Sequence, residues 1–307
     1  MMYDTIIIGG GPAAIAAGVY AARKKMHAAV VTETIGGQSI VSAGIENWIG
    51  EKAISGIDLA KKFEAHLRAQ EDLEIVQPAK VTRITRGVKH FIVHTKERGT
   101  FETKTVIIAT GGRHRRLNVP GEDIFDGKGV AYCATCDAPL FRDKNVAVVG
   151  GGNSGLEAVI DLLPYAKKVY LLTREDGLKG DPVTQEKILS SDKVEIIYKT
   201  DTQEILGETM VTGLRYKDLS TDEEETLSVG GVFVEVGSIP NAEFVKDLVA
   251  LNKYGEITID HKTGATSTPG IFAAGDVTDE MYKQNNIAAG DGIKALLSAC
   301  NYIQRVS

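Results

Sequence analysis

The chain carries the same short plan twice. TIIIGGGPAAIAAG at 5–18 reads as an apolar strand, a glycine turn and a helix of small residues, and NVAVVGGGNSGLEA at 145–158 repeats it. Gly9 and Gly150 lie 141 positions apart, a domain-scale echo rather than the period of a solenoid. Each copy continues through its helix into a second strand, AAVVTE at 28–33 and KVYLLT at 168–173. A strand, helix and strand joined in this way form a parallel pair with the helix as crossover. The expected fold class is α/β: two Rossmann-like, three-layer nucleotide-binding domains. The 307 residues suit two domains at roughly 150 residues each.

β-branched runs predict further strands at 105–110, 231–236 and 270–274. Helical spacing of Ile57, Leu59, Ala60, Phe63 and Leu67 predicts a helix over 57–69. Ile293, Leu296, Leu297, Cys300 and Ile303 predict another over 286–304, with Cys300 as helix core. The acidic KDLSTDEEET at 217–226 reads as a solvated hairpin tip. Two punctuated stretches, GGRHRRLNVPGED at 111–123 and GSIPNAEF at 237–244, bracket the second glycine unit. The second domain is therefore expected as an insertion, 115–241, in a first domain made of 1–114 and 242–307. Crossings near 113–118 and 238–243 would form a two-strand hinge.

Composition narrows the partners. The net charge is −6, which gives no field to draw in nucleic acid or an anionic membrane. Hydrophobic residues at 43% and charged residues at 25% are ordinary globular usage and exclude disorder as the main state. The longest uncharged stretch, Thr5 to Ala22, follows Asp4 and precedes Arg23, Lys24 and Lys25, the reverse of a signal peptide's polarity. Three cysteines are too few for a secreted disulfide framework. The expectation is a soluble cytoplasmic protein without a targeting segment.

Gly9, Gly11 and Ala14 fit G-x-G-x-x-G/A between a strand and a helix, where backbone N–H groups meet a pyrophosphate at the helix's positive end. Glu33 ends the second strand, where a carboxylate receives ribose hydroxyls. Gly150, Gly152 and Gly155 form the second turn. Two such turns imply two nucleotides, and the natural chemistry of that pairing is hydride transfer from a nicotinamide to a flavin.

Between the turns stands YCATCD, 132–137. Zinc would need four ligands, and Cys300 with six scattered histidines offers no second paired motif, so no metal is expected. An inert buried pair and a redox dithiol remain. At a helix start the C-x-x-C spacing lowers the thiol pKa, which favours the dithiol. Asp137 either moves a proton for the pair or caps the helix.

GGQ at 36–38, IEN at 45–47, ATG at 109–111, YCATCD, GGGNSG and AAGD at 273–276 follow the first turn in that order. This ordered set resembles the low-molecular-weight thioredoxin reductase family over nearly the whole chain. It equally resembles the C-terminal flavoprotein module of the alkyl hydroperoxide reductase reductase subunit. The resemblance implies a homodimer that binds FAD in the first and last thirds, with the nicotinamide and dithiol in the inserted middle. It places Gly9, Gly11, Pro12, Ala13, Ala14, Thr32 and Glu33 on the ADP half of FAD. Gly36, Gly37, Gln38 and Asn47 lie along its pyrophosphate and flavin, joined by Ala109, Thr110 and Gly111. Gly275 and Asp276 meet the ribityl or pyrophosphate, and Lys283 and Gln284 flank the flavin. Gly150, Gly152, Asn153, Ser154, Gly155, Arg174, Glu175 and Lys179 would hold NAD(P)H. Cys136 would face the flavin, Cys133 would attack the substrate disulfide, and Asp137 would be the acid–base. Nicotinamide and dithiol must reach one ring in turn, so the resemblance also implies rotation about the hinge.

The chain departs from the family in two places. NADPH-dependent members carry H-R-R-x-x-x-R after the second strand of the nicotinamide unit; here 173–179 reads TREDGLK. Glu175 repels a 2′-phosphate or points to water, and the balance favours NADH over NADPH. Ala138 stands where the family has glycine. No second C-x-x-C occurs, so a dithiol partner would be a separate protein. The expected function is passage of electrons from NAD(P)H through FAD and Cys133–Cys136 to a thioredoxin-like protein. CATCD favours that partner, whereas TREDGLKGD and YKQ lean to a peroxiredoxin-type acceptor. A ferredoxin–NADP reductase would leave the dithiol without a task, and a non-enzymatic FAD/NAD(P) sensor is the alternative of a different class.

Overall fold

The computed structural model describes residues 2–41 and 45–306. β1 (Tyr3–Ile8) is buried on both faces, as an apolar strand in the middle of a parallel sheet must be. The turn at Gly9–Gly11 delivers the chain into α1 (Pro12–Arg23), with proline at the first helical position. β2 (Ala28–Val31) then runs parallel to β1, Ile8 opposite Val31. α2 (Gly56–Arg68) starts at Ser55, whose hydroxyl accepts the Asp58 N–H at 3.1 Å, and buries Leu59, Ala60, Phe63 and Leu67. β3 (Leu73–Val76) extends the parallel set. β4 (Val81–Arg86), β5 (Phe91–Thr95) and β6 (Thr100–Ile108) form an antiparallel meander, and β6 closes it by pairing parallel with β1.

The chain crosses at β7 (Gly112–His114). Beyond it lie β8 (Val130–Ala131), α3 (Ala134–Asp137), β9 (Asn145–Val149), α4 (Asn153–Leu162), β10 (Lys168–Leu172), α5 (Pro182–Leu189) and β11 (Val194–Ile197). The antiparallel strands β12 (Thr200–Gly207), β13 (Val211–Asp218) and β14 (Glu224–Leu227) come next, then β15 (Val232–Val234). β16 (Ser238–Pro240) pairs with β7 on the way back; β17 (Ile271–Ala273) adds to β6, and α6 (Asn285–Val306) ends the described chain. The chain forms two compact units: Met1–Ile40, Trp48–Arg113 and Ile239–Ser307 in one, Val41–Asn47 and His114–Ser238 in the other.

In the first unit the sheet order is β3-β2-β1-β6-β5-β4, with β17 on β6. α1 and α6 pack so closely that a Cβ on Gly292 would collide with the Ala13 carbonyl. In the second unit all neighbours in the order β11-β10-β9-β15-β8 are parallel. Its strands alternate by face. Val146, Val148, Val169, Leu171 and Phe233 pack with Leu156, Val159 and Leu162 of α4, whereas Ala147, Val149, Val232 and Val234 meet Val211, Leu214 and Tyr216 of β13.

The fold differs from the sequence expectation at two surfaces. The 217–226 tip is shorter than expected, because Lys217 still pairs with Glu224 and the Asp218 carboxylate closes the turn by accepting the Ser220 and Thr221 N–H groups. Cys300 is partly exposed rather than helix core. α6 buries Ala288, Asp291, Gly292, Ala295, Leu296 and Ala299, a face set by the small residues that allow approach to α1; Ile293, Leu297 and Ile303 sit at its edge. Among the described residues no helix is long and apolar enough to cross a membrane, and no group of three or more His, Cys, Asp or Glu is placed to hold a metal ion.

Candidate active site

The two glycine turns are built alike. Gly9 has φ +132° and a Cβ there would strike the Ala109 carbonyl oxygen; Gly150 has φ +135° and a Cβ would strike that of Glu235. Gly10 packs on the Thr32 hydroxyl and Gly151 on that of Thr173. Both following helices start at glycine, Gly11 and Gly152, with no side-chain cap and no carboxylate in the first turn. Their first N–H groups thus have neither a capping oxygen nor a competing anion, the condition for holding a phosphate.

In the first unit, Gly37 (φ +60°) brings its backbone against Gly11, where a Cβ would come within 2.9 Å of the Gly11 Cα. The Gly36 N–H donates to the Gly10 carbonyl at 2.8 Å, and Ala14 is fully buried. This cradle has room for a ligand's chain only because side chains are missing from it, so the residues fit a dinucleotide such as FAD. Gly275 (φ +72°) packs on Ala13 and Ala288, and burial raises the neighbouring Asp276 carboxyl, with Lys283 opposing the shift and Asp291 adding to it. Thr32 is buried and donates to the Thr34 carbonyl, whereas Glu33 is exposed and pairs with Lys80 at 3.4 Å. The Gln38 amide donates to the Gly112 carbonyl at 2.5 Å. Ala109 donates to Ile8 at 2.8 Å, Thr110 to the Asn241 carbonyl at 2.8 Å, and Gly111 turns with φ +63°. Lys283 is engaged by Glu256 at 2.9 Å and the Thr278 carbonyl at 2.5 Å; Gln284 donates its N–H to Tyr282 and starts α6 by receiving that of Ala288. Pro12 opens α1, and Asn47 lies in a coil segment of the second unit.

In the second unit, Asn153 and Ser154 open α4, and the Asn153 side chain also receives the Asp181 N–H at 2.8 Å. Gly155 cannot be replaced as Ala14 replaces it in the first copy, since a Cβ would collide with the Gly150 carbonyl. Arg174 pairs with Asp201 at 2.8 Å and Lys179 with Glu175 at 2.6 Å. Both cations that would meet a 2′-phosphate are thereby held by carboxylates, while remaining 73% and 66% exposed.

Cys133 and Cys136 form a disulfide with their Cα atoms 5.3 Å apart. Cys133 caps α3, and its carbonyl receives the Cys136 and Asp137 N–H groups at 3.2 and 3.0 Å. Asp137 ends α3 and leads into the next turn without a side-chain capping bond, the alternative that stood beside its acid–base role. The Thr135 hydroxyl between the cysteines donates to Asp161 of α4 at 2.5 Å.

Three groups around the dithiol are not singled out by the sequence. Buried Glu122 receives the Leu117 and Asn118 N–H groups at 3.0 and 2.7 Å and the Tyr132 hydroxyl at 3.0 Å, holding the residue before Cys133. The His114 ring stacks on Tyr132 at 5.2 Å, and burial lowers the His114 pKa. Burial first, then the charges of Asp161 and Glu157, push the Glu235 carboxyl up to about 8, against the opposing pull of the Ala134 N–H. Its signal in the sequence is the single carboxylate in GVFVEVG.

The model of the pyridine nucleotide-disulphide oxidoreductase family matches residues 3–292. The F component of the alkyl hydroperoxide reductase of Staphylococcus aureus is 45% identical over 303 residues, 99% of this chain; the chain spans 59% of that relative's length. The thioredoxin reductase of Streptococcus pyogenes superposes with a TM-score of 0.91 at 38% identity, and that of Giardia duodenalis with 0.91 at 33%, each covering 99% of both chains. Two glycine turns of one design, a disulfide at a short helix and these likenesses together show that the chain belongs to the pyridine nucleotide-disulphide oxidoreductase family.

Proposed function

We propose that the chain passes electrons from NAD(P)H through FAD and the Cys133–Cys136 disulfide to a separate thioredoxin-like protein. The observation that carries this reading is the disulfide at the start of α3, inside the unit that also holds the second glycine turn. Residues 9, 11–14, 32, 33, 36–38, 47, 109–111, 275, 276, 283 and 284 would hold FAD, and residues 150, 152–155, 174, 175 and 179 the nicotinamide cofactor. FAD, when bound, supplies the two-electron chemistry that joins a nicotinamide to a disulfide.

The chain's own residues perform the thiol steps. Glu122 and Tyr132 fix the approach to Cys133. Once the disulfide is reduced, a Cys133 thiolate attacks the partner's disulfide and Cys136 resolves the mixed disulfide. Asp137, next in sequence, carries the proton. The engaged Arg174 and Lys179 support NADH as the preferred cofactor. The family resemblance supports a homodimer.

The 45% identity to a protein named as a component of an alkyl hydroperoxide reductase favours one second reading, a peroxiredoxin-type acceptor. Purified chain is assayed with separate thioredoxin, glutaredoxin and peroxiredoxin proteins. The proposal expects anaerobic bleaching of the flavin by NAD(P)H in the wild type and in Cys136→Ser, and disulfide reduction only in the wild type. A variant that still reduces the partner would remove the dithiol from the pathway.

A further inference from the structure

Tyr132, the residue before Cys133, is buried, and three groups grip its side chain. The hydroxyl donates to Glu122 Oε1 at 3.0 Å. The ring stacks on His114 at 5.2 Å with 25° between the planes, and the Arg116 guanidinium lies 5.4 Å from its centre. Burial and the Glu122 charge push the Tyr132 pKa up, so the hydroxyl stays the donor. The gripping groups are fixed in turn. Glu122, 1% exposed, also accepts the Leu117 and Asn118 N–H groups at 3.0 and 2.7 Å. Arg116 pairs with Asp123 and, at 2.6 Å, with Asp126. Ile205 of β12 donates its N–H to the Pro120 carbonyl at 2.9 Å, and a Cβ on Gly121 would collide with the Ile205 carbonyl. A buried carboxylate with three donors, a stacked ring and a cation over it make a hold that is costly to break. These contacts run between Tyr132, the segment 114–126 and β12, so they do not depend on the bond between the sulfurs.

We propose that Tyr132 is a positioning residue that sets the redox poise of the dithiol: gripped by Glu122, His114 and Arg116, it keeps Cys133 near Cys136 after the S–S bond opens and so favours the disulfide form. The inference rests on the redox reading of Cys133–Cys136 given above. Reduction breaks the S–S bond, takes up two electrons and two protons and leaves two thiols. How readily the bond re-forms then depends on how often the sulfurs meet, their effective concentration. Cys136 lies within α3, its N–H on the Cys133 carbonyl at 3.2 Å and its neighbour Thr135 on Asp161 at 2.5 Å. Cys133 stands just outside the helix in extended backbone, φ −146°, so the residue upstream limits its freedom. With Tyr132 gripped, closing the bond orders little that is not already ordered. With Tyr132 released, the backbone of one residue must be ordered afresh. That corresponds to about 5- to 30-fold in the equilibrium between open and closed forms.

The test is a redox titration of the flavin-loaded full chain at about pH 7 with reduced and oxidised dithiothreitol, in a Cys300→Ser background. The electrons come from the two sulfurs of dithiothreitol, which join in a ring, and its two protons pass to Cys133 and Cys136. Thiols are counted by labelling after an acid quench. Tyr132→Phe keeps the ring and loses the bond to Glu122; Tyr132→Leu loses the ring contacts as well. Tyr132→Phe should shift the equilibrium about threefold toward the dithiol, and Tyr132→Leu about tenfold. A merely structural role would lower the thermal midpoint of both variants and leave the equilibrium where it is. Should Tyr132→Leu fail to fold, Tyr132→Phe alone decides. A Tyr132→Phe equilibrium within about twofold of the parent, or one shifted toward the disulfide, would overturn the inference and leave the disulfide reading standing. A parent whose Cys133–Cys136 pair does not exchange at all would overturn both.

Discussion

The Glu175→Arg substitution tests the nicotinamide loop most directly. In the native chain Glu175 holds Lys179 at 2.6 Å, and Asp201 holds Arg174 at 2.8 Å. A 2′-phosphate entering here meets two cations already partnered and the carboxylates that partner them. Replacing Glu175 by arginine removes one repelling charge, adds a cation and releases Lys179. All these groups are exposed, so each pair is worth only about 0.2–1 kcal/mol after screening. Two new pairs and one lost repulsion give about 1–2 kcal/mol, or roughly 5- to 30-fold. The assay is kcat/KM for NADH and NADPH, measured as a ratio in wild type and variant. The wild type should favour NADH, and Glu175→Arg should move the ratio toward NADPH by that factor, less at high salt. A wild type that already prefers NADPH about tenfold, or a ratio that moves by less than about twofold, would refute the electrostatic reasoning.

Glu122→Ala should destabilise the second unit by about 3–6 kcal/mol, because two backbone N–H groups and the Tyr132 hydroxyl lose a buried acceptor; a thermal midpoint within about 3 °C of wild type would contradict this. His114 has a folded pKa below its ordinary 6.5, so the unfolded chain binds more protons and stability should fall as pH drops below that value. His114→Gln should flatten this loss in urea titrations between about pH 6.5 and pH 5. Native, unreduced protein should give one thiol per chain with a maleimide, from partly exposed Cys300, and three after reduction and unfolding; three before reduction would contradict the disulfide.

The parts of the fold that sequence makes legible are those where backbone geometry restricts the choice of residue. Gly9 and Gly150 announce themselves because no side chain fits beside the Ala109 and Glu235 carbonyls, and the β-branched runs around them read directly as β1, β6, β9 and β15. α5 and β12 escape because α5 buries little beyond Ile188 and β12 carries mixed polar residues whose faces are set by a distant partner, β13. The α6 face differs from its expectation for a similar reason. Sequence weights large apolar residues, but contact with α1 selects small ones at Ala288, Gly292 and Ala295. At the site, Cys133 and Cys136 are evident from spacing alone, whereas Glu122 gains its meaning only from N–H groups brought to it by the fold.

The bridge between Cys133 and Cys136 closes a ring of only four residues. Chain-entropy arguments give so small a ring about 2 kcal/mol, less than a staple spanning a domain would supply. The turn is held independently by the bonds from Cys136 and Asp137 to the Cys133 carbonyl and by Thr135 on Asp161. Breaking and remaking the link therefore leaves the architecture around it intact, as the proposed electron-carrying role requires of a bond that is not a fastening.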